Sequence, residues 1–294
     1  MATILKTESI NIRDPFVLFE NGMYYMYGTR AKSFGINTGG FDVYVSTDLK
    51  NWSQPIECFN SVTYGMNAGV NWAPEVHKYG DAYYLFATFT GSTGITGKGT
   101  YILKSDSPLG PFMPHSNGKA TPDDWECLDG TLYTNKEGKA YIVFCHEHQQ
   151  ILDGTICYTP LSSDLSETIG ETVTLFKASD SHFSEPLRYD NGEEHWVTDG
   201  PFMWRSSAGG LFMLWSTFIN NQYAECVVRF NDGELSMNLD HLPPLNVSDG
   251  GHGMIFGASD GEVWLTYHMP NVSGFEHPHF TKLNVDEELV SILE

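Results

Sequence analysis

Five times along this chain a Gly-bearing turn is followed by a short apolar and aromatic run: MYYMYGT from Met23, AYYLFAT from Ala82, KAYIVFCHE from Lys139, LFMLWST from Leu211 and EVWLTYH from Glu262. The turns before them, ENG, YGD, KEG, SAGG and SDG, supply Gly, Asn and Asp, which accept the positive φ angles of a tight hairpin. Each run follows a motif of its own: RDPFVLF, WAPEVHKY, LDGTLYT, TDGPFMWR and GHGMIFGA. With Asp14, Glu75, Asp129, Asp199 and His252 as landmarks, the motifs recur at gaps of 61, 54, 70 and 53 residues. Strands and turns returning at such a period are what four-stranded propeller blades require. The sequence therefore predicts an all-β, five-bladed β-propeller with a central pocket, one domain over residues 1–294. A β-sandwich also suits alternating strands and Gly turns, and the constant motif-then-hairpin order separates the two. Helix is expected for a turn or two at most, at DDWECL near 123 and SSDLSETI near 162.

At 294 residues and 41% hydrophobic content the chain can bury a full core, and no Pro/Ser-rich linker divides it. The 16 Lys and Arg stand against 37 Asp and Glu, a net charge of -21 that repels nucleic-acid phosphates and anionic membrane surfaces. No nucleic acid and no membrane is expected as a partner; a neutral ligand fits better. Cys58, Cys127, Cys145, Cys157 and Cys226 are an odd number without a CxxC, which disfavours a disulfide framework and a zinc site. The opening MATILKTESINIRDP has no basic stretch followed by an apolar one. A cytoplasmic location is the expectation, with a trimmed leader as its alternative.

In a propeller the innermost strands converge on the axis, so equivalent positions gather at one mouth. Asp14, Glu75, Asp129, Asp199 and His252 then form a cluster of ionisable groups rare in a folded interior. Two carboxyls flanking a sugar suit glycoside hydrolysis: one, ionised, deprotonates a water and the other protonates the leaving oxygen. A third carboxyl raises the donor's pKa and holds it in place, and Asp14, Asp129 and Asp199 fit that scheme. The competing reading of Asp199 is a turn carboxylate, since Asp-Gly is a common turn pair. Trp72 offers an indole face for a sugar ring or else packs in the core, Glu75 is placed to bind sugar hydroxyls, and Phe16 and His252 join them as substrate contacts. Glu185 and Glu194 read as surface carboxylates that are the next candidates for the acid. His146 and His148 share a strand face at the mouth, without a third metal ligand at recognisable spacing. Arg13 alternates to the face opposite Asp14 and reads as a structural ion-pair partner.

RDPFVL, WAPEV, DGTLY, DGPFMW and HGMIF occur in the order of glycoside hydrolase family 43, which this chain resembles over nearly its whole length. The resemblance implies a five-bladed propeller acting on arabinofuranosides and xylosides by an inverting mechanism, with Asp14 as general base, Asp129 as pKa modulator and the acid in the Gly-Pro motif. Here the pattern departs from the family's common Glu-Gly-Pro, because Thr198-Asp199-Gly200-Pro201 carries the shorter acid. The resemblance also admits a calcium ion met through waters at His252, although calcium prefers oxygen ligands, and it requires no cofactor. The expected substrate is an oligo- or polysaccharide from which terminal or side-chain α-L-arabinofuranosyl or β-D-xylosyl residues are cut. The absence of a C-terminal β-sandwich after residue 280 tilts the expectation to arabinofuranosidase. The alternatives are a catalytically impaired carbohydrate-binding propeller and a related sugar enzyme, a galactofuranosidase or a phosphorylase. Sugar choice is assigned to the loops at 30–40, 60–70 and 90–99.

Overall fold

The computed structural model describes residues 4–31, 39–66, 69–91 and 97–293. The middles of the three loops held to choose the sugar, 32–38, 67–68 and 92–96, lie outside the described residues. Five antiparallel sheets form the blades. Their innermost strands are Ile12–Glu20, Asn71–Tyr79, Cys127–Thr134, Asp199–Arg205 and Gly251–Gly257. Their second strands are Met23–Arg30, Ala82–Phe89, Ala140–His146, Leu211–Ile219 and Val263–Met269, the five apolar runs of the sequence. Leu5–Lys6 and Asn51–Trp52 widen the first blade, and a small hairpin, Leu187–Arg188 with Glu194–His195, stands between the third and fourth.

The second strands are apolar because each is sandwiched between neighbouring blades. All eight residues of Ala82–Phe89 are buried, and so is nearly all of Leu211–Ile219. Each Leu, Phe or Met so buried contributes about 1.5–3 kcal/mol. The ENG turn has positive φ at both Asn21 (50°) and Gly22 (78°), as a two-residue hairpin needs. Among the described residues the only α-helix is one turn, His148–Ile151, which follows the second strand of blade three. DDWECL is a turn that runs into the strand at Cys127, and SSDLSETI is a turn: Asp164 Oδ1 accepts from Ser162 Oγ (2.7 Å) and Ser166 Oγ (2.8 Å), local bonds that hold the backbone out of a helix.

Every innermost strand carries the same defect. The pairing with the second strand slips at Asp14-Pro15, Ala73-Pro74, Asp129-Gly130, Gly200-Pro201 and His252-Gly253, and the first residue of each pair has φ between 46° and 54°. These are β-bulges, whose unpaired second residue tolerates Pro and whose kink re-aims the side chains around them. The equivalence corrects two of the five landmarks. In blade two the counterpart of Asp14 is Ala73, not Glu75, and in blade four it is Gly200, with Asp199 one place earlier.

Two rings of side chains satisfy the amides that the bulges free. At the second-strand position opposite the residue before each bulge stand Thr29, Thr88, Cys145, Ser216 and His268. Thr29 Oγ1 accepts from Ala73 N (2.7 Å), Thr88 Oγ1 from Asp129 N (2.8 Å), Ser216 Oγ from His252 N (2.7 Å) and His268 Nδ1 from Asp14 N (3.2 Å), each reaching the following blade. The second bulge residue has an N–H only where it is Gly. There the third strand of the preceding blade supplies the acceptor, Thr100 Oγ1 to Gly130 N (3.0 Å) and Glu225 Oε2 to Gly253 N (2.8 Å). The ring of blades closes through side chains: Arg13 Nη1 donates to Glu276 Oε1 and Asn271 Oδ1, both at 2.9 Å, and Trp52 stacks on Phe280.

Candidate active site

The bulges meet at a cavity of about 800 Å³ at one end of the axis. Asp14, Asp129 and His252 line it from the first bulge residue, and Arg13, Trp72, Leu128 and Asp199 from the residue before the bulge. A larger groove, about 980 Å³, runs outside between the first and fifth blades and holds none of these groups.

Phe16 and Glu75 do not reach the cavity, contrary to their expected substrate contacts. Both are the second residue beyond a bulge's first position, where the side chain turns between blades. Phe16 packs edge-on against His77 and Phe202, and Glu75 is buried with Oε2 2.9 Å from His77 Nε2. Trp72 does line the cavity, with Lys98 Nζ 5.6 Å from its ring centre, and Lys98 is paired with Glu147. His146 and His148 do not share a face. The strand ends at His146, which stacks on Trp125 at 4.1 Å, while His148, on the following helical turn, lines the cavity with Nδ1 3.0 Å from His195 Nδ1. Arg13 lines the cavity because its bulge breaks the strict alternation, and it is also the ion-pair partner of Glu276. Glu185 and Glu194 are exposed, away from the cavity; Glu185 Oε2 accepts from Asn220 N and Glu194 pairs with Arg188.

His252 Nδ1 is the hub of the three acids. It lies 3.3 Å from Asp14 Oδ1, 3.6 Å from Asp199 Oδ1 and 4.0 Å from Asp129 Oδ2. The nearer oxygens of Asp14 and Asp199 are therefore at most about 7 Å apart, close enough to act on one glycosidic bond. Although one methylene shorter than the common Glu, Asp199 reaches the cluster. It is 23% exposed, against 7% for Asp14 and 5% for Asp129, so it presents an edge to a ligand that the other two do not.

Electrostatics divide the acids. Burial works against the Asp14 anion, but His252, Arg13, His268 and the Thr29 hydroxyl (2.6 Å to Oδ2) together hold its carboxyl below the usual range, so it is ionised. Asp129 and Asp199 are hydrogen-bonded to each other and hold one proton between them. Burial first, then the Asp199 charge, pushes Asp129 well up. Burial would raise Asp199 too, but the bond with Asp129, then His252, the Tyr223 hydroxyl at 2.7 Å from Oδ2 and Arg13 outweigh it and bring it down to about 2. A buried pair this close cannot keep two charges.

Sequence reasoning passed over Tyr223, Glu225, Ser216 and His268. Glu225 is fully buried beneath the site, and burial pushes its carboxyl well above the ordinary range. For Ser216 and His268 the available signal was a polar residue near the end of an apolar second strand; Tyr223 and Glu225 lie on the next strand, Gln222–Phe230.

Asp129, Asp199 and His252 offer ligand atoms within 4.8 Å of one another. Calcium takes six to eight oxygens, whereas here one donor is an imidazole and each of the two carboxylates already has an oxygen engaged, Asp129 by Gly200 N and Asp199 by the Tyr223 hydroxyl. The set does not fit direct calcium ligation, and no step below runs through such an ion.

The sequence profile described as Glycosyl hydrolases family 43 matches residues 8–284. A solved structure described as an endo-arabinase from Bacteroides thetaiotaomicron is 36% identical, with TM-score 0.86 over 98% of this chain and 99% of that one. An endo-1,4-beta-xylanase from the same organism (21% identity, TM-score 0.77, covering 99% and 97%) and an alpha-L-arabinofuranosidase from Lactobacillus brevis (17%, 0.71, 94% and 92%) share the fold. A comparison with curated proteins returned no match.

Proposed function

The chain belongs to glycosyl hydrolase family 43, and from that premise we propose that it hydrolyses α-L-arabinofuranosyl linkages with inversion, Asp14 acting as general base and Asp199 as general acid. The observation that carries the reading is the convergence of one ionised carboxyl and one proton-sharing carboxyl pair on His252 Nδ1, inside a cavity of ligand size. Asp14 takes a proton from a water whose oxygen bonds to the anomeric carbon. The glycosidic C–O bond breaks as its oxygen takes the proton of Asp199. Asp129, the more buried partner, returns the shared proton to Asp199 along their hydrogen bond as the leaving oxygen arrives, and holds Asp199 in line.

Arabinofuranosyl is favoured over xylosyl because the 36% identical structure is described as an endo-arabinase, while the structures under 25% identity speak to the fold alone. That relative also moves the expectation from chain ends toward internal linkages. A phosphorylase needs free cations for phosphate, and among the described residues the Arg and Lys that line the cavity are committed, Arg13 to Glu276 and Lys98 to Glu147.

The test is hydrolysis of debranched arabinan beside aryl α-L-arabinofuranosides and β-D-xylosides, with the first-formed anomer read by proton NMR. Oligosaccharides from arabinan, released with inverted configuration and lost in Asp14→Asn, are expected. Retained configuration would overturn the base and acid roles, and turnover of xylosides alone would overturn the sugar.

A further inference from the structure

The first ring of bulge caps has one exception. Threonine, serine or histidine caps the next blade's amide at four junctions, with acceptor distances of 2.7 to 3.2 Å. At the fifth, between blades three and four, the equivalent residue is Cys145, paired in register with Leu128. A thiol is a weak acceptor. The amide in question, Gly200 N–H, donates instead to Asp129 Oδ2 at 3.3 Å. We propose that Cys145 is a positioning residue of the reaction: by failing to cap the fourth bulge, it leaves the Gly200 amide to Asp129 and so ties the carboxyl of blade three to the segment that carries Asp199.

Three features support this. Cys145 is fully buried, and its thiol is pushed up first by burial and then by the charges of Asp129 and Asp199, so it sits against the pair it is said to arrange. Space does not demand a cysteine, because Thr29 and Thr88 occupy the same place in the two preceding blades. Thr29 also shows what a better acceptor does there. Thr29 accepts from the next blade's amide and donates to the Asp14 carboxylate of its own blade (2.6 Å), standing between the two. A hydroxyl at 145 would wedge between Gly200 and Asp129 in the same way and draw Asp129 away from Asp199.

The proposal rests on Asp199 as the acid, and its test keeps the two apart. Cys145→Thr and Cys145→Ala are compared with wild type and Asp199→Asn on α-L-arabinofuranosides and α-(1,5)-arabinobiosides carrying 4-nitrophenol or phenol. Cys145→Thr is expected to lower kcat about 10- to 50-fold on the phenyl substrates and only about 3-fold on the nitrophenyl ones, with KM little changed, because weakened proton donation penalises poor leaving groups most. Cys145→Ala, which also lacks an acceptor, is expected to stay within about 3-fold of wild type. Where threonine unfolds the protein, Cys145→Ser replaces it, and its crystal structure should show Gly200 N moved to the new hydroxyl. Equal losses in the alanine and threonine variants would make Cys145 a packing residue and overturn the proposal, as would a Gly200 amide still on Asp129 in the serine variant. A loss in Asp199→Asn that ignores the leaving group would instead remove the acid reading, and the proposal with it.

Discussion

The innermost strands of blades three and four share one backbone device and present their acids differently. In blade three the acid is on the first residue of the bulge, Asp129, nearly sealed from solvent. In blade four that residue is Gly200 (φ 48°), and the acid is one place earlier, at Asp199, on a half-open edge. The cause lies across the axis: a Cβ on Gly200 would stand 2.7 Å from Cδ2 of the His252 ring, so blade five forbids a side chain there. In the other blades that carry a side chain at the position before the bulge, it too lines the cavity: Arg13, Trp72 and Leu128. A shift of one residue thus turns a buried partner acid into one that meets the ligand, with no change of fold.

The largest effect should come from breaking the two acids separately. Asp199→Asn is expected to lower kcat on phenyl glycosides about 10³-fold and on nitrophenyl glycosides only about 10-fold, because a good leaving group needs no proton. Asp129→Asn should cost about 10²-fold on phenyl glycosides and about 10-fold on nitrophenyl ones, since it removes the partner that returns the shared proton as well as the hold on Asp199. Steady-state rates on the two leaving groups check the division; identical patterns for both variants would erase the distinction drawn between the blades. With wild type, the alkaline limb of the pH profile should lie above the ordinary carboxylic range. The shared proton is held by burial and by the partner's charge, and activity persists until that proton is lost.

Next in size is the glycine that forces the offset. Gly200→Ala adds a side chain at positive φ and against the His252 ring, an expected loss of about 2–4 kcal/mol together with most of the activity. Gly22→Ala is the control, with positive φ (78°) but nothing within 4 Å of the added Cβ, and should cost about 1 kcal/mol with full activity. Denaturant midpoints measure both. Equal losses would mean that the backbone angle, not the imidazole, makes position 200 a glycine.

Legibility in the sequence followed the same line. The five hairpins could be read because their turns carry Asn, Asp and Gly before unbroken apolar runs, and the three aspartates because Gly or Pro follows near each. Glu75 was misplaced because an ionisable side chain was taken as the landmark in every motif; the bulge is marked by Ala73-Pro74, and two residues on, the chain has turned between blades. Phe16 fails for the same reason. Thr29, Thr88, Ser216 and His268 stand within the quoted runs but carry no mark of their role, because their work is done on the next blade. No local pattern shows a contact of that kind.

A smaller effect concerns the two third-strand caps. Thr100 and Glu225 do one job, each accepting from a bulge glycine, but only Glu225 can ionise. Burial raises its folded pKa, so the folded state binds a proton that the unfolded state releases, and stability must fall as pH rises above the unfolded value near 4.5. Each unit by which the folded pKa exceeds the unfolded one costs about 1.4 kcal/mol on the alkaline side. Glu225→Gln keeps an acceptor for Gly253 without that cost, and its Tm relative to wild type should climb from pH 4 to pH 8. A constant difference would show that Glu225 is no more than a second Thr100.

The smallest expected effect is that of chelation, and it probes the same pair of blades. A divalent cation held directly by Asp129, Asp199 and His252, whose atoms lie within 4.8 Å, would favour both carboxylates as anions and strip the shared proton from them. The acid of blade four would then have nothing to donate. If the proton, not a metal, joins the two blades, dialysis against EDTA should change kcat by less than about twofold, and millimolar calcium should not activate. A loss on chelation that calcium restores would place an ion at the His252 hub. Asp129 and Asp199 would then have to be understood as acids tuned by that ion and not by each other.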